Sequence, residues 1–190
     1  MDQTPPQRAM TQALSCDREV WLNSVMTPPV LDIREVTADA FGEIWPILRE
    51  VLADEDTYPW PADTAEAEAR ALWFAPGARV YNAYAGGEIV ASRYIVPNKP
   101  GLGSHICNIG VIIARPWRGR GVGRQLNAFA IAKARELGFR AIQLNFVVST
   151  NEASIYICRA HGFEIVGTLP GAFFYKRERY VDAYVMFRAL

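Results

Sequence analysis

The chain has no excess of charge of either sign: 20 Lys and Arg balance 20 Asp and Glu over 190 residues. That excludes the broad basic field through which many proteins bind nucleic acid. Any bound anion must be held by a local site. Histidine is scarce, with only His105 and His161, too few for a His-rich metal centre. Cysteine is scarce and odd in number (Cys16, Cys107 and Cys158), and no pair has metal-ligand spacing. These read as free thiols in a reducing compartment, with no metal. No apolar run reaches membrane-span length. Met1 to Val30 lacks the apolar stretch of a signal peptide. The expectation is a soluble cytoplasmic protein without nucleic-acid or membrane partners.

What is present is a globular composition, 51% hydrophobic and 21% charged, in a length suited to one domain with a sizeable core. Residues 1–30 read as an N-terminal extension with two Pro-Pro pairs. Arg8 to Val25 could form a short amphipathic helix there, although a loosely docked arm is the preferred reading. Residues 31–190 read as the domain proper. Leu31 to Val36 alternates as a strand. Thr37 opens a helix with Phe41, Ile44, Ile47, Leu48 and Val51 on one face, disturbed but not erased by Pro46. A Pro-rich loop from Asp54 to Thr64 carries Tyr58 and Trp60, and a short helix follows over Ala65 to Phe74. Strands are expected near Arg79 to Ala85 and Glu88 to Val96, joined by the hairpin signal Gly86-Gly87, and again over His105 to Ile113.

The second half alternates. Gly121 to Leu137 is a helix stopped by Gly138, and Ala141 to Val148 is a strand. Ser149 and Glu152 form a capping-box pair that opens a helix ending at Gly162. Phe163 to Leu169 and Tyr180 to Phe187 are the last strands. Early antiparallel strands followed by strand-helix-strand-helix imply an α/β fold, with a mixed sheet and helices on both faces.

Strand, Gly-rich turn and helix over Arg118-Gly119-Arg120-Gly121-Val122-Gly123 is a recipe for phosphate binding. The helix start leaves backbone N–H groups unpaired and adds its dipole. Glycines permit close approach, and Arg118, Arg120 and Arg124 add cationic donors. A dinucleotide fingerprint fails because residue 124 is Arg, not Gly. A P-loop fails because no Lys-Ser or Lys-Thr pair exists. A turn that merely connects strand to helix stays open on this motif alone.

Arg118-x-x-Gly121-x-Gly123 resembles motif A of the GCN5-related N-acetyltransferase (GNAT) family, Q/R-x-x-G-x-G/A. Ile109 to Ile113 before it resembles that family's fourth strand. Asn151-Glu152-Ala153-Ser154 followed by Gly162-Phe163 resembles its N-x-x-A/S…G-F segment. The end of the chain, with an aromatic loop and then Tyr180 to Ala183, resembles the phosphinothricin and azetidine-2-carboxylate acetyltransferase type. The resemblance implies a mostly antiparallel sheet of about seven strands over residues 31–190. It also implies acetyl-CoA as co-substrate and transfer to a small amine or amino acid in a ternary complex.

By the same resemblance, backbone groups of Val111 and Ile113 pair with the pantetheine arm, and amides from Gly119 through Val122 to Arg124 cradle the pyrophosphate. Asn151 and Ser154 contact the cofactor. Strands four and five splay into a slot. The Val111 N–H serves the oxyanion. Asn108 and Asn145 orient the acceptor, and Tyr58 and Trp60 wall its pocket. The pattern departs where many members carry a Glu base, since Cys107 and Asn108 stand there. It departs again where many carry a Tyr acid, since Cys158 stands there. His105 is a candidate relay. Cys158 is a candidate weak acid, with inert core packing preferred. The run Phe173-Phe174-Tyr175 covers either the acceptor or a partner subunit, which leaves a homodimer open. A CoA-binding regulatory module without turnover and a protein N-acetyltransferase are the alternative functions.

Overall fold

Period-two alternation becomes strands close to where it is read. The computed structural model describes residues 28–190, so the helix envisaged over Arg8 to Val25 lies outside the described residues. The strands are β1 (Asp32–Val36), β2 (Arg79–Ala85), β3 (Glu88–Pro97), β4 (Ile106–Ile113), β5 (Ala141–Val148), β6 (Glu164–Tyr175) and β7 (Arg179–Ala189). They form one seven-stranded sheet in the order β1-β2-β3-β4-β5-β7-β6. Every neighbouring pair is antiparallel except β4 and β5, which run parallel. Gly86 and Gly87 both have positive φ (59° and 87°), as the tight β2–β3 turn requires.

Helices α1 (Phe41–Ala53) and α2 (Glu66–Trp73) cover one face, and α3 (Val122–Glu136) and α4 (Glu152–Ala160) cover the other. The 3.6-residue period of α1 buries Phe41, Ile44, Ile47, Leu48, Val51 and Leu52, each stabilising by about 1.5–3 kcal/mol. These pack with Trp73, Val80 and Ile112. On the opposite face Ala130, Ile131 and Ala134 of α3 and Cys158 of α4 meet Ile95, Cys107, Ile109, Ile142 and Met186.

Two local expectations are corrected. The Ser149–Glu152 capping box does not form. The Asn151 N–H donates to the Val148 carbonyl at 2.9 Å, turning the chain so that the helix opens two residues later. Asn151 is then the N-cap, its Oδ1 accepting the Ser154 N–H at 3.1 Å. The aromatic segment Phe173–Tyr175 is strand, not loop: β6 passes Pro170 by an irregularity between Leu169 and Phe173 and pairs with β7 again. The β6–β7 hairpin turns at Lys176 and Arg177, both at positive φ. Its tip is pinned to the segment after α1. The Lys176 N–H donates to the Glu55 carbonyl at 3.0 Å, and Arg177 Nε to Glu55 Oε1 at 2.6 Å.

Candidate active site

The parallel pair β4–β5 begins to zip and then stops. Register exists only for Ile106 with Ala141 and Cys107 with Ile142. At the next position a side chain replaces the ladder: Asn108 Nδ2 donates to the Gln143 carbonyl at 2.8 Å. Beyond it the strands part, and β5 is irregular between Leu144 and Val147. The splay expected from the sequence is therefore present. It leaves β4 with polar backbone groups that face a gap, which side chains satisfy, as buried polar groups require. The Tyr58 hydroxyl accepts the Val111 N–H and donates to the Val111 carbonyl, each at 3.0 Å. Arg118 Nε donates to the Ile113 carbonyl at 3.2 Å.

At the end of β4 the chain passes a short turn of 3-10 helix (Arg115–Trp117) into the Gly-rich segment. Gly119 and Gly121 take φ of 75° and 83°, open only to glycine at low cost. Amides from Gly119 to Arg124 donate to no backbone carbonyl among the described residues. They are a run of donors at a helix start, of the kind that holds a phosphate or pyrophosphate. A Cβ at Gly119 would meet nothing within 4 Å, so a ligand here meets bare backbone. A Cβ at Gly121 would lie 3.4 Å from Pro28, where the described chain begins. Gly123 serves packing: its Cβ would come within 3.2 Å of Ile157 on α4. Arg120 lies over the Trp117 ring, 5.2 Å from its centroid, and Arg124 is exposed. Arg118 turns toward Asp54, with Nη1 3.0 Å from Oδ2.

The α1–α2 face of the gap is aromatic. Tyr58 packs on Trp60 at 5.2 Å and Trp73 at 6.0 Å, and Trp73 meets Tyr94 edge-on at 5.0 Å. Burial raises the Tyr58 phenol well above its ordinary value, with the neighbouring Tyr94 adding to the rise. Tyr94 lies so close over β4 that a Cβ at Gly110 would sit 2.3 Å from its ring. Its hydroxyl donates to Asn108 Oδ1 at 3.4 Å. Asn145 stands exposed on β5, accepting from Gln143 Nε2 at 2.9 Å and donating to Asn98 Oδ1 at 2.6 Å. Asn108 and Asn145 are thus joined through Gln143, which the sequence alone did not single out, nor Tyr94 or Asn98.

The remaining expected groups separate. Cys158 is buried, and desolvation raises its thiol. A bond from Asn127 Nδ2 to Sγ (3.8 Å) and the nearby Arg93 charge oppose that shift. Cys107 is pushed up to about 12 by burial, so neither thiol is a base at neutral pH. His105 precedes β4 at the end where the strands pair, away from the splayed part, and its Nδ1 lies 3.1 Å from the Leu102 carbonyl. Tyr156, two residues before Cys158 on α4, is 65% exposed. Two residues unforeseen from the sequence lie beneath β4: Arg93, fully buried, and Asn127, whose Oδ1 accepts from Arg93 Nη2 at 2.6 Å. The available signal was a charge at the core-facing parity of β3, between Ala91 and Ile95.

This architecture has known counterparts. The acetyltransferase (GNAT) family pattern matches residues 45–163. The chain belongs to that family. A GCN5-related N-acetyltransferase from Kribbella flavida is 35% identical, with a TM-score of 0.79, covering 84% of this chain and 98% of that one. The N-acetyltransferase aca1 of Schizosaccharomyces pombe is 37% identical over 98 residues, 51% of this chain and 47% of that protein. The chain thus matches about half the length of that curated relative. The fold is shared with a phosphinothricin acetyltransferase from Sinorhizobium meliloti in complex with acetyl-CoA, at 22% identity and a TM-score of 0.75, over 84% of this chain and 88% of that one. In this GNAT chain the family pattern spans both the splayed β4–β5 pair and the glycine turn.

Proposed function

We propose that the chain is an acetyl-CoA-dependent N-acetyltransferase acting on a small amine or amino acid by direct transfer in a ternary complex. One observation carries this reading: β4 parts from β5 after Cys107 and leads into the Gly119–Arg124 turn, whose amides find no backbone carbonyl among the described residues, with Tyr58 on the Val111 backbone and Asn108 beside the gap.

The residues divide the work. Amides from Gly119 to Arg124 would hold the pyrophosphate, with Arg120 and Arg124 at the mouth. Backbone groups of Val111 and Ile113 would pair with the pantetheine amides, and Asn151, with Nδ2 left to donate, and Ser154 would contact that arm. Acetyl-CoA supplies an activated acyl carbon and a stable leaving group. The Val111 N–H would face the oxygen that gains charge, worth about 10²–10³ in rate for one such donor. Asn108 and Asn145 would orient the acceptor against Tyr58 and Trp60, so that proximity supplies much of the acceleration. Asp54 and Glu55, on the segment after α1, are held by Arg115, Arg118 and Arg177 and so are not free to act as base. The amine would enter neutral or lose its proton to water.

The test is release of free thiol from acetyl-CoA across a panel of small amines, amino acids and peptides. Thiol release with small amines and amino acids is expected. Cofactor binding with no release from any acceptor would make the chain a CoA-binding module instead. Release with peptides alone would move the reading to protein acetylation.

A further inference from the structure

Among the described residues Arg93 is a charge without a counter-ion. Its side chain is 1% exposed, and no carboxylate pairs with it among the described residues. Asn127 holds Nη2, while Nε and Nη1 are buried and find no acceptor among the described residues. Removing a guanidinium from water without compensation is costly. Burial accordingly lowers it to about 10, which still leaves it charged at neutral pH. A core that only needed volume would be better served here by Met or Leu.

Its placement indicates a use. Arg93 is the cross-strand partner of Val111. It projects toward the α3–α4 side, where Asn127 fixes it and Asn127 in turn reaches Cys158. The charge of Arg93 acts on Cys158, Tyr58 and Tyr94. Its two remaining donors are therefore buried on the α3–α4 side of β4 at the level of Val111, on the face opposite the aromatic wall. With the pyrophosphate on the glycine turn and the pantetheine amides on Ile113 and Val111, as proposed above, the thioester end would meet β4 at Val111, the cross-strand partner of Arg93. An amine approaching from the aromatic side leaves the α3–α4 side to the departing group.

We propose that Arg93 receives the departing thiolate, its free N–H donors stabilising negative charge on the coenzyme A sulfur in place of a proton donor. The proposal rests on the N-acetyltransferase reading of the slot. The amine nitrogen bonds to the acyl carbon as the carbon–sulfur bond breaks. The bonding pair leaves on sulfur, and the amine proton passes to solvent. The guanidinium keeps its own proton. Its charge is uncompensated before transfer and compensated as the thiolate forms, so the interaction strengthens toward the transition state. Cys158 then needs no acid role.

The test titrates the thiol of coenzyme A bound to the wild-type protein, by thiolate ultraviolet absorbance, with the acetyl-CoA complex as reference. An adjacent opposite charge lowers an acid by about one to three pKa units, so the thiolate fraction at neutral pH should exceed that of free coenzyme A by tenfold or more. Arg93→Gln should bind coenzyme A yet return its thiol to the free value, and Arg93→Lys should keep part of the shift. A bound thiol that titrates like free coenzyme A overturns the proposal without need of any variant. So does an Arg93→Gln complex that keeps the wild-type titration. Weaker binding of both ligands with no change in titration would place Arg93 on a pantetheine carbonyl and also overturn it. Coenzyme A that fails to bind at all refutes the underlying acetyltransferase reading, and Arg93's role with it.

Discussion

The hydroxyl of Tyr58 and the backbone of Val111 satisfy each other, one oxygen taking the N–H and giving its proton to the carbonyl, both at 3.0 Å. The same two backbone groups are those proposed to meet the thioester end of the co-substrate. On that proposal Tyr58 would hold the place of the ligand until the ligand binds. Tyr58→Phe should leave both Val111 groups unpaired and lower the stability of the free protein by about 1–3 kcal/mol. Acetyl-CoA would restore them, so its stabilising effect in thermal melts should be larger in the variant than in wild type. An equal or smaller effect would show that Tyr58 keeps its place when the ligand is bound.

Gly121 tests the phosphate turn. A side chain there is strained by the positive φ and meets Pro28, at a cost of about 1–2 kcal/mol for the backbone alone. Gly121→Val should remain folded by circular dichroism but lose the acetyl-CoA-induced rise in melting temperature. Undiminished binding by the folded variant would refute the site.

Asn145 is exposed and bound only to other side chains. Asn145→Ala should therefore reduce kcat/KM for the acceptor about tenfold or more, the cost of a bond to a charged group, with cofactor binding unchanged. Asn108→Ala should act on both, because Asn108 also bridges β4 to β5. Should Asn145→Ala change cofactor affinity alone, the acceptor assignment fails.

Cys158 is held by packing, and burial weakens it as an acid. Single-turnover rates for folded Cys158→Ala should fall less than tenfold, while stability falls by about 1 kcal/mol as for other small core deletions. A general acid contributes about 10²–10⁴-fold, so a drop beyond a hundredfold would assign Cys158 that role.

Cys107 predicts an alkaline instability. Its thiol is pushed up to about 12 in the fold, against roughly 8.5 in an unfolded chain. Between those values the folded state holds a proton that the unfolded state has lost. Stability is thus whole below about pH 8.5 and falls as pH rises toward about 12. Denaturant melts of wild type and Cys107→Ala across this range check it: the alkaline slope should be shallower in the variant.

Much of this architecture could be read from the residues, because strands and helices here carry clean periods. β5 and the glycine turn that precedes α3 follow directly from alternation and from Gly119, Gly121 and Gly123. The Asn151 cap was obscured because Ser149 and Glu152 offered the same local signature two residues earlier, and only the bond back to Val148 decides between them. The network through Gln143 and Asn98 was hidden because it joins residues 47 apart, Asn98 and Asn145, along a bulged strand edge. Arg93 left a trace, a charge on the inward parity of β3, but its meaning depends on Val111 and Asn127 as neighbours, which no spacing announces.

The brief parallel seam between β4 and β5 gives the sheet a weak line. Only two register pairs, Ile106 with Ala141 and Cys107 with Ile142, form a ladder along it, helped by the Arg140 N–H to the His105 carbonyl and by side-chain bonds such as Asn108 to Gln143 and Asn145 to Asn98, whereas each half-sheet is closed by antiparallel ladders. A ligand laid into the gap as an extra strand would act as mortar between the halves. Amides along this line should exchange with solvent first in the free protein and slow most when the slot is filled. A protease that samples such openings reads the population of the open form. The cellular lifetime of a protein built in this way would then follow the supply of acetyl-CoA.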